Sequence, residues 1–160
     1  EYFVKRKCQD EFLAVEFVGQ ATAKPAQRVL EAISEADLVV VCPSNPVVSI
    51  GTILSVEGIR DALKRTSAYV VGVSPIVAGA AIKGPADKML RGLGFEVSAF
   101  GVAGLYCDFL DAMVIDSQDA ELKTCIEALG LKVTVTNTVM KTLEDKITLA
   151  KTVLDAKVSL

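Results

Sequence analysis

The most chemically suggestive segment of the sequence is a short loop of small polar residues and proline. It occupies residues 43–52, reads PSNPVVSIGT, and follows the apolar run Asp37–Cys42. Its prolines stiffen the backbone, its serines and asparagine offer hydrogen-bonding groups, and its glycine allows the backbone to approach a ligand closely. The candidate ligand-binding residues of this loop are Ser44, Asn45, Pro46, Ser49, Ile50 and Gly51.

The loop has two interpretations. If Ser49 caps a short helix through Ile50, the first N–H groups of that helix are free to hold an anion. The alternative is an ordinary turn with an asparagine and a capping serine. The position directly after the most apolar strand favours a binding site, because ligands of open α/β sheets bind at the carboxyl ends of the strands.

A second loop, residues 74–88, is long for the connection between a strand and a helix, and such loops are usually functional or mobile. It ends at Gly84, before a proline that suits a helix start, and Lys83 and Lys88 flank that point. Two ammonium groups beside free helix N–H groups predict a phosphate site. Alternatively, Lys88 is a solvated helix residue.

Absent residue types narrow the chemistry. The chain has no histidine, so it cannot build a Ser–His–Asp or Cys–His nucleophile alone. Its four cysteines are widely spaced, which gives no zinc motif and predicts buried free thiols of a reducing cytoplasm. Any metal would be hard and oxygen-bound, as Mg²⁺ is, and shared with substrate phosphates. These patterns identify no catalytic or metal-ligating residue.

Charge and hydropathy exclude two classes of partner. A net charge of −3 gives nucleic acid no electrostatic footprint, and the basic run at residues 5–7 is too short to provide one. The longest apolar runs are only strand-sized, which predicts no membrane-spanning helix.

Alternating periodicities predict the elements that position the two loops. Residues 1–20 are expected to form a β-hairpin appendage from Tyr2–Cys8 and Phe12–Val18. In residues 21–160, helical patterns, the first from Pro25, alternate with apolar strands. We therefore predict an open, mostly parallel, Rossmann-like sheet with helices on both faces. The predicted strands are Asp37–Cys42, Ala68–Val73, Glu96–Phe100, Asp111–Asp116 and Lys132–Thr136.

The order and spacing of several motifs resemble the 2-phospho-L-lactate transferase family. The motifs are Pro43–Pro46, Ser49–Gly51, Val73–Ile76, Gly84–Ala86 and Phe109–Asp111, and the resemblance covers nearly all of the chain. It implies transfer of a phospholactyl-type group from a guanosine diphosphate (GDP)-linked donor to the terminal hydroxyl of a deazaflavin in coenzyme F-420 biosynthesis. GMP leaves, and Mg²⁺ assists.

The family's chain is considerably longer, and its N-terminal half carries a glycine-rich loop and acidic residues that have no counterpart here. The resemblance therefore implies the C-terminal part of a longer cytoplasmic enzyme that is inactive without its other half, and a homodimer is one expected assembly. By the same resemblance, Ser44, Asn45, Ser49 and Gly51 line the donor side, and Lys83, Gly84 and Lys88 lie in a matching region.

Two other functions stay open. A related family with a similar nucleotide-sugar-binding sheet is regulatory, and its corresponding loop is rich in glycine where this one reads PSNP. That difference favours the transferase over a non-catalytic regulator. In a third reading the chain is an assembly domain, and its mean hydropathy of +0.43 reflects an interface.

Overall fold

The computed structural model describes residues 1–157 and contains a central four-stranded parallel sheet. In chain order the strands are β1 (Leu38–Val41), β2 (Tyr69–Val73), β3 (Ile76–Val77), β4 (Ala80–Ala81), β5 (Ala112–Asp116) and β6 (Lys132–Thr136). The central sheet has the order β1-β2-β5-β6 and the pairs are parallel, whereas β3 and β4 form a small antiparallel hairpin. The predicted open parallel sheet is confirmed.

Helices fill the connections between these strands. They are α1 (Val29–Glu35), α2 (Ile50–Leu54), α3 (Ile59–Arg65), α4 (Ala86–Gly92), α5 (Ala99–Tyr106), α6 (Lys123–Glu127) and α7 (Leu143–Asp155), with a 3-10 helix at Ser117–Leu122. Helix α7 begins with a capping box, in which the side chains of Thr142 and Asp145 accept each other's backbone N–H groups.

The sheet separates two apolar cores. The larger core lies between one face of the sheet and helices α3 to α6. Its fully buried side chains include Val70, Met89, Leu90, Val102, Met113, Ile115 and Ile126. Within residues 1–157, the opposite face packs against α7, through Val71, Val73, Val114, Leu149 and Val153. Coverage on both faces explains why the central strands are almost uniformly apolar.

The helices that connect the parallel strands lie on one face of the sheet for a topological reason. Each connection from β1 to β2, β2 to β5 and β5 to β6 steps in the same direction across the sheet. Parallel crossovers are right-handed in nearly all proteins, so connections that step in one direction place their helices on one face. Helix α7, which follows β6, returns across the other face.

The predicted N-terminal hairpin is wrong. Residues 1–28 contain turns and no strand, and Lys7 and Cys8 have positive φ angles of 50° and 55°, which interrupt an extended strand. Tyr2 and Phe12 instead pack against the larger core, where burial of their rings outweighs isolated pairing. The domain boundary at residue 20 stays a prediction, and residues 158–160 of the second domain lie outside the described part.

Two other boundaries differ from expectation. The predicted strand Glu96–Phe100 is wrong: residues 96–98 lead into α5, which begins at Ala99 because the side chain of Ser98 accepts a hydrogen bond from the N–H of Gly101 and caps the helix. The helix expected from Pro25 begins at Val29.

Two expectations from composition can be compared with the structure. Within residues 1–157, no helix is long and apolar enough to cross a bilayer. The four cysteines are free thiols, but none is buried, and Cys42 and Cys107 are exposed.

Candidate functional site

The loops after β1, β2 and β6 converge on one cavity at the carboxyl edge of the sheet. Its volume is about 480 Å³, the size of a small-molecule site. The lining residues are Phe3, Pro43, Ser44, Asn45, Val48, Ser49, Ser74, Pro75, Ile82, Lys83, Gly84, Pro85, Ala86, Thr138 and Met140. Residues of both polar loops, 43–52 and 74–88, contribute to this lining.

Asn45 shapes the first loop from within. Its Oδ1 accepts hydrogen bonds from the N–H groups of Val47 at 2.8 Å and Val48 at 3.1 Å. Its Nδ2 lies 3.3 Å from the sulfur of Met89 in α4. The side chain therefore caps the turn that leads into α2 and ties it to the next crossover.

The expected capping by Ser49 is not observed, because Asn45 takes that role first. Ser49 precedes α2 without a side-chain capping bond. The backbone N–H groups of Ser49 and Ile50 both donate to the Asn45 carbonyl, and that of Gly51 donates to Pro46. The N–H groups of Ile50 and Gly51, the first two of this five-residue helix, therefore already have backbone acceptors.

Side-chain groups are instead available at this cavity. In the described part of the chain, the hydroxyls of Ser44 and Ser49 and the ammonium of Lys83 form no hydrogen bond or ion pair with protein. They come from two loops separated in sequence and line the same cavity. Two neutral donors and one cation suit an anionic ligand.

A buried carboxylate positions the second loop. The strands β3 and β4 meet at a tight turn in which Ala78 and Gly79 both have positive φ, 48° and 74°. Asp119 accepts the N–H of Ala78 with both oxygens, at 3.0 and 3.1 Å. Burial raises the pKa of Asp119, and the hydrogen bond from Ala78 opposes that effect. The hydrogen bonds between Asp119 and Ala78 therefore fix the β3–β4 hairpin, which leads directly to Lys83 at the cavity.

A second buried carboxylate positions the third loop. Asp116 ends β5, and its Oδ2 accepts the N–H of Thr138 at 2.8 Å and the hydroxyl of Thr138 at 3.1 Å. Burial favours a higher pKa, but hydrogen bonds from Thr138 and Gln118 outweigh it and lower the pKa of Asp116. The ionised carboxylate therefore fixes the chain after β6, which brings Met140 to the cavity.

Of the other residues predicted for the site, some line the cavity and the rest lie outside it. Gly84 lines the cavity, but Pro46 and Gly51 line a separate cavity of about 270 Å³. Ile50 packs against the larger core. Lys88 points to the N-terminal segment, where its ammonium donates to the carbonyl of Cys8 at 2.8 Å.

Sequence reasoning missed part of the lining. Phe3 comes from the segment expected to form a hairpin, and no local pattern brings it to the sheet edge. Thr138 and Met140 follow the carboxyl end of β6, so the same rule that selected the first two loops applies to them.

The cavity does not by itself fit a magnesium ion. Its lining residues include no carboxylate, and across residues 1–157 no group of three histidine, cysteine, aspartate or glutamate side chains is arranged to hold a metal. Proteins usually bind Mg²⁺ through carboxylates together with substrate phosphates. We therefore assign no chemical step here to a metal.

Comparison with known proteins gives consistent matches along the chain. A family model described as 2-phospho-L-lactate transferase CofD matches residues 1–153. The 2-phospho-L-lactate transferase of Methanocaldococcus jannaschii is 43% identical over 97% of this chain and 48% of its own. That of Methanothermobacter thermautotrophicus is 44% identical over 96% of this chain and 49% of its own. The phosphoenolpyruvate transferase of Kitasatospora aureofaciens is 44% identical over 96% and 48%.

The chain therefore spans about half the length of the curated relatives it matches. Among solved structures, protein BH3568 from Bacillus halodurans superposes with a TM-score of 0.54 over 82% of this chain and 47% of that one. The two sequences are 20% identical, so this likeness establishes the α/β fold alone.

Proposed function

The chain belongs to the 2-phospho-L-lactate transferase CofD family, and we propose that it forms the donor-binding half of a phospholactyl-type transferase. The donor is a guanosine diphosphate-linked three-carbon acid, the acceptor is the terminal hydroxyl of a deazaflavin, and GMP is released. One observation carries this proposal. The free hydroxyls of Ser44 and Ser49 and the free ammonium of Lys83 meet in one cavity at the strand ends.

These groups match the demands of the donor. A bridging diphosphate presents several oxygens with negative charge, which one ammonium and two hydroxyl donors would bind and partly neutralise. The apolar wall formed by Phe3, Ile82 and Met140 suits the ring system that accompanies the phosphates. Phosphoryl-group transfer depends mainly on such positioning and charge neutralisation, which suits a cavity without histidine.

The transfer has a simple balance of bonds. The acceptor oxygen bonds to the phosphorus of the phospholactyl-type group, and the bond from that phosphorus to the GMP oxygen breaks with its electron pair. The proton of the acceptor hydroxyl needs a base, and the lining residues contain no carboxylate or imidazole. In this proposal the base and the ligands of Mg²⁺ come from the part of the family's chain that these residues do not span.

The setting of the enzyme is part of the same proposal. Free cysteine thiols, two of them exposed, are compatible with a reducing cytoplasm. We expect the complete enzyme to bind neither nucleic acid nor membrane. The predicted homodimer of the complete enzyme can be tested by light scattering.

Calorimetric titration with GDP tests the donor site. The protein is this chain combined with the unmatched half of the Methanocaldococcus jannaschii relative. Lys83→Gln is expected to weaken GDP binding roughly ten- to hundredfold, because a charge-assisted hydrogen bond is lost. Ser44→Ala is expected to weaken it a few-fold, since its hydroxyl is neutral.

Lys88→Gln is the matched control, because that ammonium lies on the Cys8 carbonyl outside the cavity lining. Its GDP affinity is expected to stay within about twofold of the unchanged protein, which is about 0.4 kcal/mol. Equal affinities for Lys83→Gln and Lys88→Gln would remove the cavity from the donor site. A preference for a uridine diphosphate sugar, without turnover of a deazaflavin, would favour the regulatory alternative.

A further inference from the structure

A second cavity borders the 43–52 loop and shares no lining residue with the candidate site. Its volume is about 270 Å³, and we call it the interhelical cavity because helices α2, α3 and α5 contribute to it. Its lining residues are Pro46, Gly51, Leu54, Ser55, Arg60, Leu105 and Tyr106. The volume is just below the usual range of drug-sized pockets, so it suits a ligand of few heavy atoms.

Tyr106 gives this cavity a buried polar group without a partner. The residue is 3% exposed, and within residues 1–157 its hydroxyl has no hydrogen-bond partner. Its ring packs against that of Phe109, with the ring centroids 5.4 Å apart. A buried hydroxyl that lacks a partner costs about 1–3 kcal/mol, which is unusual in a folded core. The described part of the chain therefore supplies no acceptor for this hydroxyl.

The hydroxyl of Tyr106 lies near the guanidinium of Arg60. Burial raises the pKa of Tyr106, and the positive charge of Arg60 opposes that effect. Because the effect of a charge falls with distance, the two groups are neighbours, and both residues line the interhelical cavity. The raised pKa keeps the hydroxyl protonated at neutral pH, so it acts as a hydrogen-bond donor.

Arg60 adds a second donor and a positive charge. Its Nε and Nη2 donate to the carboxylate of Asp108 at 2.9 and 2.6 Å, and Nη2 also donates to the Leu105 carbonyl at 2.8 Å. Among the described residues, these bonds leave Nη1 available. Lys64 also pairs with Asp108, at 2.7 Å. Two cations therefore share one carboxylate, and the group retains one net positive charge.

The remaining walls of the cavity offer apolar surface and no further free side-chain donor. Pro46, Leu54 and Leu105 contribute apolar side chains. The Ser55 hydroxyl donates to the Thr52 carbonyl at 2.8 Å, so its proton is already used. One guanidinium nitrogen and one phenol hydroxyl suit the two oxygens of a carboxylate, and the apolar walls suit a short hydrocarbon tail. A phosphate would leave its other oxygens against apolar walls.

We propose that the interhelical cavity binds a small aliphatic monocarboxylate, whose oxygens accept hydrogen bonds from Nη1 of Arg60 and the hydroxyl of Tyr106. Its single negative charge matches the net charge of the Arg60 group. A single bridging water does not fill this space, because one water takes about 30 Å³ of liquid volume. Pro46 and Gly51 place the bound acid against the 43–52 loop. The proposal concerns a separate cavity and does not rest on the donor proposed above.

Titration of this chain with butyrate, followed by NMR, tests the proposal. Saturable changes in amide chemical shift are expected at Gly51, Ser55 and Leu105, which line the interhelical cavity. The amides of Ser44 and Lys83, in the candidate site, are expected to stay unchanged. Butyramide has nearly the same shape but no charge, so it is expected to bind at least tenfold more weakly, because charge-assisted hydrogen bonds are lost.

Tyr106→Phe and Tyr69→Phe form a matched pair. Both hydroxyls are buried without a partner, but Tyr69 lines a different cavity. Tyr106→Phe is expected to weaken butyrate binding at least tenfold, because a hydrogen bond to a charged group is lost. Tyr69→Phe is expected to keep the affinity within about twofold. Neither variant should lower the urea midpoint, since neither hydroxyl loses a partner within the chain.

A second variant keeps the proposal testable if Tyr106→Phe does not fold. Arg60→Lys retains a positive charge beside Asp108 but removes Nη1, and it is expected to weaken butyrate binding at least tenfold.

Four results would overturn the proposal. The first is the absence of saturable shifts at the residues of the interhelical cavity. The second is equal affinity for butyrate and butyramide, and the third is equal binding by Tyr106→Phe and Tyr69→Phe. The fourth is a set of shifts centred on Ser44 and Lys83, which would place the acid in the candidate site instead.

Discussion

Replacement of Asn45 by alanine is expected to destabilise the chain by about 2 kcal/mol, because this side chain builds the first loop of the site. Two backbone N–H groups lose their acceptor, and one of them belongs to Val47, which is buried. Loss of a helix cap costs about 0.5–2 kcal/mol, and a buried unpaired donor costs about 1–3 kcal/mol. Val48 is only partly buried, so water can satisfy its N–H and the total stays near the middle of these ranges.

Urea unfolding followed by circular dichroism measures this change, and the melting temperature is expected to fall by about 4–8 °C in a chain of this size. Asn45→Asp is the matched control, since it keeps the Oδ1 acceptor and places a negative charge at a helix start. Its stability is expected to stay within about 1 kcal/mol of the unchanged chain. Its GDP affinity is expected to fall, because the new charge repels phosphate.

The reasoning would be refuted by an alanine variant within about 0.5 kcal/mol of the unchanged chain, the usual range of a surface substitution. It would also be refuted if the aspartate variant were as unstable as the alanine variant. In the first case the two hydrogen bonds contribute nothing net. In the second, the amide nitrogen and its contact with the Met89 sulfur stabilise the loop instead.

Two further predictions concern packing and charge away from the site. The hydrogen bond from Arg60 lowers the pKa of Asp108 to about 2, so its ionised form stabilises the fold above the unfolded pKa and this gain is lost as pH falls through 2. As the pH falls from 5 to 2, the urea midpoint should therefore fall more steeply for the unchanged chain than for Asp108→Asn. Partial exposure of the Arg60–Asp108 pair limits the difference to under about 1 kcal/mol. Parallel plots of midpoint against pH for the two proteins would contradict this prediction. A Cβ at Gly92 would overlap the Phe12 carbonyl, so Gly92→Ala should expose residues 1–22 to proteolysis. The control is Gly104→Ala, which has open space around it in α5 and should stabilise the fold by up to about 1 kcal/mol. Equal cleavage of both variants would contradict the close packing of residues 1–22.

The parallel sheet could be predicted from sequence because its strands have a local signature. Runs such as Leu38–Val41 and Tyr69–Val73 are apolar without alternation, which is typical of strands covered on both faces. The carboxyl-end rule then selected the first two loops without knowledge of strand order. The N-terminal hairpin prediction failed because the aromatic and β-branched residues of Tyr2–Cys8 do not specify a strand partner. The rings of Tyr2 and Phe12 pack against the larger core instead.

The walls of the cavity depend on contacts that no local pattern encodes. Asp119 reaches a turn that lies 41 residues away along the chain, and Asp116 reaches Thr138 over 22 residues. Both aspartates are buried at strand or helix ends, where a sequence pattern predicts only caps. The carboxyl-end rule applies to Thr138 and Met140 after β6, but the pairing of Thr138 with Asp116 depends on the register of β5 and β6, which no local pattern encodes.

The PSNP loop shows that residues of one motif can serve different physical purposes. The side-chain amide oxygen of Asn45 accepts hydrogen bonds within the loop, and the N–H groups of Ile50 and Gly51 have backbone acceptors, whereas Ser44 and Ser49 keep free hydroxyls at the cavity. An asparagine capping role and a serine binding role both require short polar side chains, so residue type alone does not separate them. Pro46 determines the outcome, because it has no N–H to offer and the first available donors are those of Val47 and Val48. The geometry of the loop thus gives Asn45 a stabilising role and leaves the hydroxyls of Ser44 and Ser49 free for the proposed donor.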